Sequence, residues 1–160
     1  MGDIPRGGKL LGEILVDKKL ITELQLIWAL AEQKRTNEFL GQVLMKKKYI
    51  SDEQLAQALS EQFGIPYTTL RAERVDWNAV QEISPSVCVE GRCVPLYKDE
   101  KILTIASVNP LDVKLKSEVE RVAGSRLVRW VIITHKEMEV AQDEYRKAAR
   151  RRIQDKIKGP

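Results

Sequence analysis

Gly12 and Gly41 recur in register 29 positions apart, and so do Gln33 and Gln62. Apolar packing does not obviously require either pair, and neither does a helix start. Two like units side by side can grip a long or two-fold symmetric ligand, so these residues suggest recognition rather than bond-making chemistry. Residues for the latter are sparse. His135 is the single histidine, and Cys88 and Cys93 form one C-x4-C pair with no second pair. A zinc site needs about four ligands, so no metal is expected. A cysteine nucleophile would need His135 beside it, and reduced core cysteines near a buried strand are the preferred reading. No G-x4-G-K-[ST] stretch occurs, so the chain cannot hydrolyse a nucleoside triphosphate through a P-loop. No catalytic residue is assigned, and no enzyme is expected.

The elements that position the recurring residues are themselves duplicated. Residues 11–33 align with residues 40–62, and 12 of the 23 pairs are identical. A repeat this close is one supersecondary unit used twice, each copy burying the other's apolar face. Each copy reads as two helices. The first, around Leu10–Lys18, carries Leu11, Ile14 and Leu15 at helical spacing. Thr22-Glu-Leu-Gln25 and Ser51-Asp-Glu-Gln54 then fit the capping box, which gives Gln25 and Gln54 a structural role. Leu26, Ala29, Leu30 and Leu55, Ala58, Leu59 supply the apolar stripe of the second helix. Trp28 breaks the repeat, since its partner is Gln57. Gly64 and Pro66 close the region as a C-cap and a terminator.

Beyond Pro66 the pattern changes. The sequence predicts a short strand at Tyr67–Leu70, a short helix at Asn78–Ile83 ending before Ser84-Pro85, and strands at Arg92–Tyr97 and Ile102–Ala106 joined as a hairpin. Asn109-Pro110 marks a turn, Leu111–Ala123 an amphipathic helix ending at Gly124, and Leu127–Ile133 a strand. Thr134 caps a last helix that runs through Glu144 into the C-terminal segment. The fold class expected is α+β: a tandem helix-pair repeat subdomain (1–64), a small mixed α/β subdomain (65–145), and a basic tail or linker (146–160).

A composition of 43% hydrophobic and 31% charged residues reads as globular, and no apolar run approaches the ~18 residues of a membrane span. The N-terminal stretch lacks an uninterrupted apolar region, so no secretory signal is expected and a cytoplasmic location is. Net charge is +4, but residues 146–160 hold seven of the 27 basic residues and one of the 23 acidic ones, which leaves residues 1–145 at −2. The folded part is therefore no nucleic-acid-binding body. The tail reads first as a solvated helix end or linker, and in a sharper reading as a contact for anionic lipid or an acidic partner.

The pattern LG-x2-L at Leu11–Leu15, Ile21, and L-x3-L-x2-Q ending at Gln33, followed by a spacer and the same again, resembles the N-terminal domain of type II secretion and type IV pilus assembly ATPases. Cys93-Val-Pro-Leu, Ile102–Ser107 and Asn109-Pro110-Leu111-Asp112 resemble the second half of that family's pattern, so the likeness spans about Lys9 to Tyr145. It implies a non-catalytic regulatory or docking domain, with secretion or pilus machine proteins at the inner membrane as partners and a peripheral place there. It also implies an alternative, a cyclic di-GMP sensor, because a subset of the family binds that dinucleotide through this tandem motif, one copy for each half. The matching positions are Leu10, Leu11, Gly12 and Gln33 in the first copy, and Phe39, Leu40, Gly41 and Gln62 in the second. Glycine would admit a guanine or phosphate to the backbone, leucine would pack on a base face, and glutamine would read a base edge. Two departures stand out: Leu10 and Phe39 replace the subset's arginines, and Lys19 and Lys48 replace its later glycines. For Leu11, Leu40 and the glycines, close helix packing is the favoured structural alternative. No cofactor is expected apart from that dinucleotide ligand.

Overall fold

Two reciprocal caps start the longer repeat helices in the computed structural model, which describes residues 8–71, 73–78, 81, 83–110 and 113–158. The Gln25 amide donates to Thr22 Oγ1 at 3.2 Å, and the Thr22 amide donates to Gln25 Oε1 at 2.8 Å. Ser51 and Gln54 repeat the arrangement at 3.1 and 2.8 Å. Behind these caps run α2 (Glu23–Thr36) and α4 (Asp52–Phe63), preceded by the shorter α1 (Leu11–Asp17) and α3 (Leu40–Lys46). The first unit of the chain, Ile4–Gly64, is built from these four helices.

Its core takes the same positions from both copies. Ile14 and Val43, Leu15 and Leu44, Ile21 and Ile50, and Ala29 and Ala58 are all buried in one cluster. Most of the packing between helices crosses the copies, α1 against α4 and α2 against α3. Neither copy could bury its apolar face alone, which is why the unit is duplicated rather than single. Leu15 and Leu44 are fully buried, and truncating either to alanine would cost about 2–5 kcal/mol.

The remaining residues, Ile65–Pro160, make a second compact unit. Its sheet has the order β1-β2-β3, with β1 (Cys93–Lys98) antiparallel to β2 (Ile102–Ser107), and β2 parallel to β3 (Leu127–Ile132). Asp99 closes the hairpin by accepting the Lys101 and Ile102 amides, each at 2.8 Å. A parallel pair needs a crossover, which α6 (Val113–Ala123) supplies. The final helix, α7 (His135–Lys158), starts at the expected cap: Thr134 Oγ1 accepts the Glu137 amide. Val94, Leu96, Leu103, Ile105, Val119 and Tyr145 are buried at the centre, where the Tyr145 hydroxyl donates to the Ile83 carbonyl at 2.5 Å.

Three expectations are corrected here. Tyr67–Leu70 is no strand but one parallel bridge, Tyr67 to Ile132. The ladder ends because β3 itself ends at Ile132, and the Leu70 amide beyond it donates to the Glu137 carboxylate. In the segment read as a helix over Asn78–Ile83, Asn78 lies in a turn and Ile83 in a bend, while Ala79, Val80 and Glu82 fall outside the described residues. Ser84-Pro85, read as a terminator, starts α5 (Pro85–Glu90): Ser84 Oγ accepts the Val87 amide, and Pro85 takes a first-turn place that needs no donor. The expected start of α6 at Leu111-Asp112 lies outside the described residues. The basic segment from Arg146 is helical as far as Lys158, continuous with α7. No helix among the described residues is long and apolar enough to cross a membrane. Together the seven helices and the mixed three-stranded sheet of the described residues make an α+β fold.

Candidate functional site

The eight residues singled out from the repeats all lie in the first unit, at three kinds of position. Leu10 and Phe39 are the N-caps of α1 and α3, 51% and 65% exposed, and neither makes a side-chain cap hydrogen bond. Leu11 and Leu40 are half-buried against the repeat core. Gln33 and Gln62 are half-buried in the last turns of α2 and α4, where the Gln33 carbonyl accepts the Asn37 amide that ends α2.

Gly12 and Gly41 have a packing reason to recur. A Cβ on Gly12 would lie 2.6 Å from Leu26 Cδ1, and one on Gly41 2.6 and 2.8 Å from the two methyls of Leu55. The leucine of the second helix thus sits directly on the glycine of the first, in both copies. Sequence spacing could not reveal this, because Gly12 and Leu26 meet only when the helices cross.

Lys19 and Lys48 were missed as structural positions. Both adopt the left-handed conformation, with φ 56° and 57°. Each is the C′ residue of a Schellman ending: the Lys19 amide donates to the Val16 carbonyl and the Leu20 amide to Leu15, as Lys48 does to Met45 and Tyr49 to Leu44. The family's glycines at these two places were the available signal, since the backbone there favours glycine.

Electrostatics follow the duplication, with one reversal. Lys9 pairs with Asp17 at 2.5 Å, and the equivalent Glu38 and Lys46 pair with the charges exchanged. The Asp17 carboxylate holds the Lys9 ammonium above its usual range. Lys18 reaches Glu61 across the copies at 2.7 Å. Its counterpart Lys47 instead lies 4.8 Å over the Trp28 ring, which meets Tyr49 edge-on at 6.0 Å. Tyr49 and Trp28 stand where the other copy has Leu20 and Gln57, so the aromatic pair marks one side of the pseudosymmetric unit only.

A second asymmetry lies on α2. Leu24 is 78% exposed and Ile27 64%, and exposed Ala31 continues their stripe at helical spacing. The other copy carries Glu53, Ala56 and Ser60 at these places, and its Ala56 is buried. The fold of the repeat therefore does not call for large apolar side chains here.

Cys88 and Cys93 are buried thiols. Beside them, burial pushes the Tyr145 hydroxyl well above the usual phenol range. No group of three metal-ligating side chains occurs among the described residues.

Residues 63–152 match the family model described as the MshEN domain. The solved structure of MshE with cdg matches 86% of this chain and 99% of that one, at 28% identity and a TM-score of 0.75. The XpsE N-terminal domain matches 84% of this chain and 92% of its own at 16% identity and a TM-score of 0.66, which speaks for the fold. A second crystal form of it matches with a TM-score of 0.54 at 17% identity, covering 83% and 92%. No curated protein sequence matches. The duplicated helix pairs, the small mixed sheet and these likenesses agree: the chain belongs to the MshEN domain family, as an N-terminal domain of the secretion-ATPase type.

Proposed function

We propose that this domain is the non-catalytic regulatory and docking part of a type II secretion or type IV pilus assembly ATPase system, holding machine proteins at the inner-membrane face. The observation that carries the docking role is the exposed stripe Leu24, Ile27 and Ala31 on α2. Its sibling helix has no such stripe, so interaction rather than folding explains it. Burying one leucine or isoleucine side chain is worth ~1.5–3 kcal/mol, so the two anchors contribute about 3–6 kcal/mol to a contact that must also offset lost translational and rotational freedom. The test is co-purification of the cognate machine proteins with the wild-type domain and with Leu24→Glu/Ile27→Glu. Both side chains face solvent, so the variant should keep its circular dichroism and melting point while recovery falls at least tenfold. Unchanged recovery would remove α2 from the interface.

A second reading is favoured by the MshE likeness: a cyclic di-GMP sensor using Leu10, Leu11, Gly12 and Gln33 with Phe39, Leu40, Gly41 and Gln62. It is supported by the exposure of the Leu10 and Phe39 side chains, which leaves both positions open to a ligand. Against tight binding stands the loss of two guanidinium groups suited to phosphate or guanine edges. Calorimetry with ~100 μM dinucleotide would saturate a site of Kd ~1 μM, equivalent to about −8 kcal/mol. Leu10→Arg/Phe39→Arg should strengthen binding tenfold or more. No heat from wild type or variant would sink the sensor reading.

A further inference from the structure

The C-terminal part of α7 is amphipathic in an unusual sense: its apolar residues lie amid positive charge. From Arg150 to Ile157 every residue is exposed, beyond Ala148, the last buried residue of the helix. Ile153 is 58% exposed and Ile157 78%. Helical spacing places Arg146, Arg150, Ile153 and Ile157 on one stripe, with Lys156 beside it. Between Arg146 and Lys158 there are seven basic residues and one acidic one, Asp155.

A merely solvated helix end has no reason to expose two isoleucines one turn apart. An acidic protein would need no apolar residue at the centre of the basic face. An anionic lipid surface suits both features. Isoleucines enter the boundary between headgroups and acyl chains, while the flanking arginine and lysine heads stay among the phosphates.

We infer that the end of α7, centred on Ile153 and Ile157 with Arg150 and Lys156, is a binding element for anionic membrane. The inference deepens the placement at the inner-membrane face but rests on the second unit, whereas the docking stripe lies on the first.

The test is co-sedimentation of the whole chain with vesicles of phosphatidylcholine alone or with 30% phosphatidylglycerol at fixed salt. Each basic residue near such a surface is worth ~1 kcal/mol, or about fivefold in partitioning. Arg150→Gln/Lys156→Gln should therefore weaken binding to the anionic vesicles roughly 25-fold. Ile153→Ser/Ile157→Ser should weaken it tenfold or more with all charges kept, and binding to phosphatidylcholine alone should be at least tenfold poorer than to the mixture. All four side chains are exposed, and an unchanged circular dichroism spectrum confirms that the variants fold. Equal binding to both vesicle types, none to either, or indifference to the isoleucine change would overturn the inference. The Leu24→Glu/Ile27→Glu variant should bind these vesicles like wild type, so a failure of docking and a failure of lipid binding are read separately.

Discussion

Gly41→Ala should destabilise the repeat unit, although alanine is the better helix former. The added Cβ would lie 2.6 and 2.8 Å from the Leu55 methyls and 3.3 Å from its Cγ, and Leu55 is only 3% exposed. The leucine cannot swing into solvent, so relief must come from a strained rotamer or a helix shift. Such overpacking costs about 1–3 kcal/mol. Replacing glycine in a first turn returns roughly 0.5 kcal/mol, so the net loss should be about 0.5–2.5 kcal/mol. Gly12→Ala should cost less. Only one Leu26 methyl falls inside 3.0 Å, the other lies at 3.1 Å, and Leu26 is half-buried with room to yield. Urea unfolding followed by circular dichroism measures both, with Leu55→Ala completing a double-mutant cycle. Leu55→Ala alone should cost ~2–5 kcal/mol. In its background Gly41→Ala should become stabilising by roughly 0.5 kcal/mol, giving a coupling of about 1–3 kcal/mol. Additive effects, or a Gly41→Ala protein as stable as wild type, would refute the packing account of the recurring glycines.

Lys19→Gly and Lys48→Gly should each stabilise the chain by ~0.5–1 kcal/mol, since left-handed backbone costs a side-chain-bearing residue about 1–2 kcal/mol and glycine's extra unfolded-state freedom offsets part of the gain. A raised urea midpoint at constant m value is the expected signature, and a lowered midpoint would count against it. The Glu73 carboxylate, its side chain 9% exposed, is held below its ordinary value near 4.5, chiefly by hydrogen bonds from Arg129 at 2.6 and 3.1 Å. Its folded pKa is depressed, so its contribution is full above pH ~4.5 and lost as pH falls below that. Glu73→Gln should therefore flatten the stability profile below pH ~4.5 and lower stability at pH 7; an unaltered acid limb would show that other carboxylates govern it.

Local chemistry was legible wherever it repeats within a few residues. Thr22-x-x-Gln25 and Ser51-x-x-Gln54 contain both halves of their capping boxes, so those helix starts could be read directly. Gly124 ends α6 where expected, with φ 61°. Ser84-Pro85 misled because the same dipeptide serves either end of a helix. Only the burial of Cys88, one turn on, shows that the chain continues inward. Tyr67–Leu70 failed for a long-range reason: the strand it meets, β3, ends at Ile132, and the Leu70 amide finds its acceptor in the Glu137 carboxylate 67 residues away.

The duplication determined, by itself, that there are two helix pairs, where they cap and which family they resemble. Each of these depends on spacing along the chain. It did not determine which leucines face inward, since Leu30 of the expected stripe is 40% exposed. Tertiary structure alone decided that each first helix packs on the other copy's second, and that Leu26 and Leu55 rest on Gly12 and Gly41. It also decided that Leu24 and Ile27 of α2, and Ile153 and Ile157 of α7, face solvent while equally apolar neighbours are buried. Exposure belongs to the assembled chain, because a side chain is covered only by what the fold carries to it.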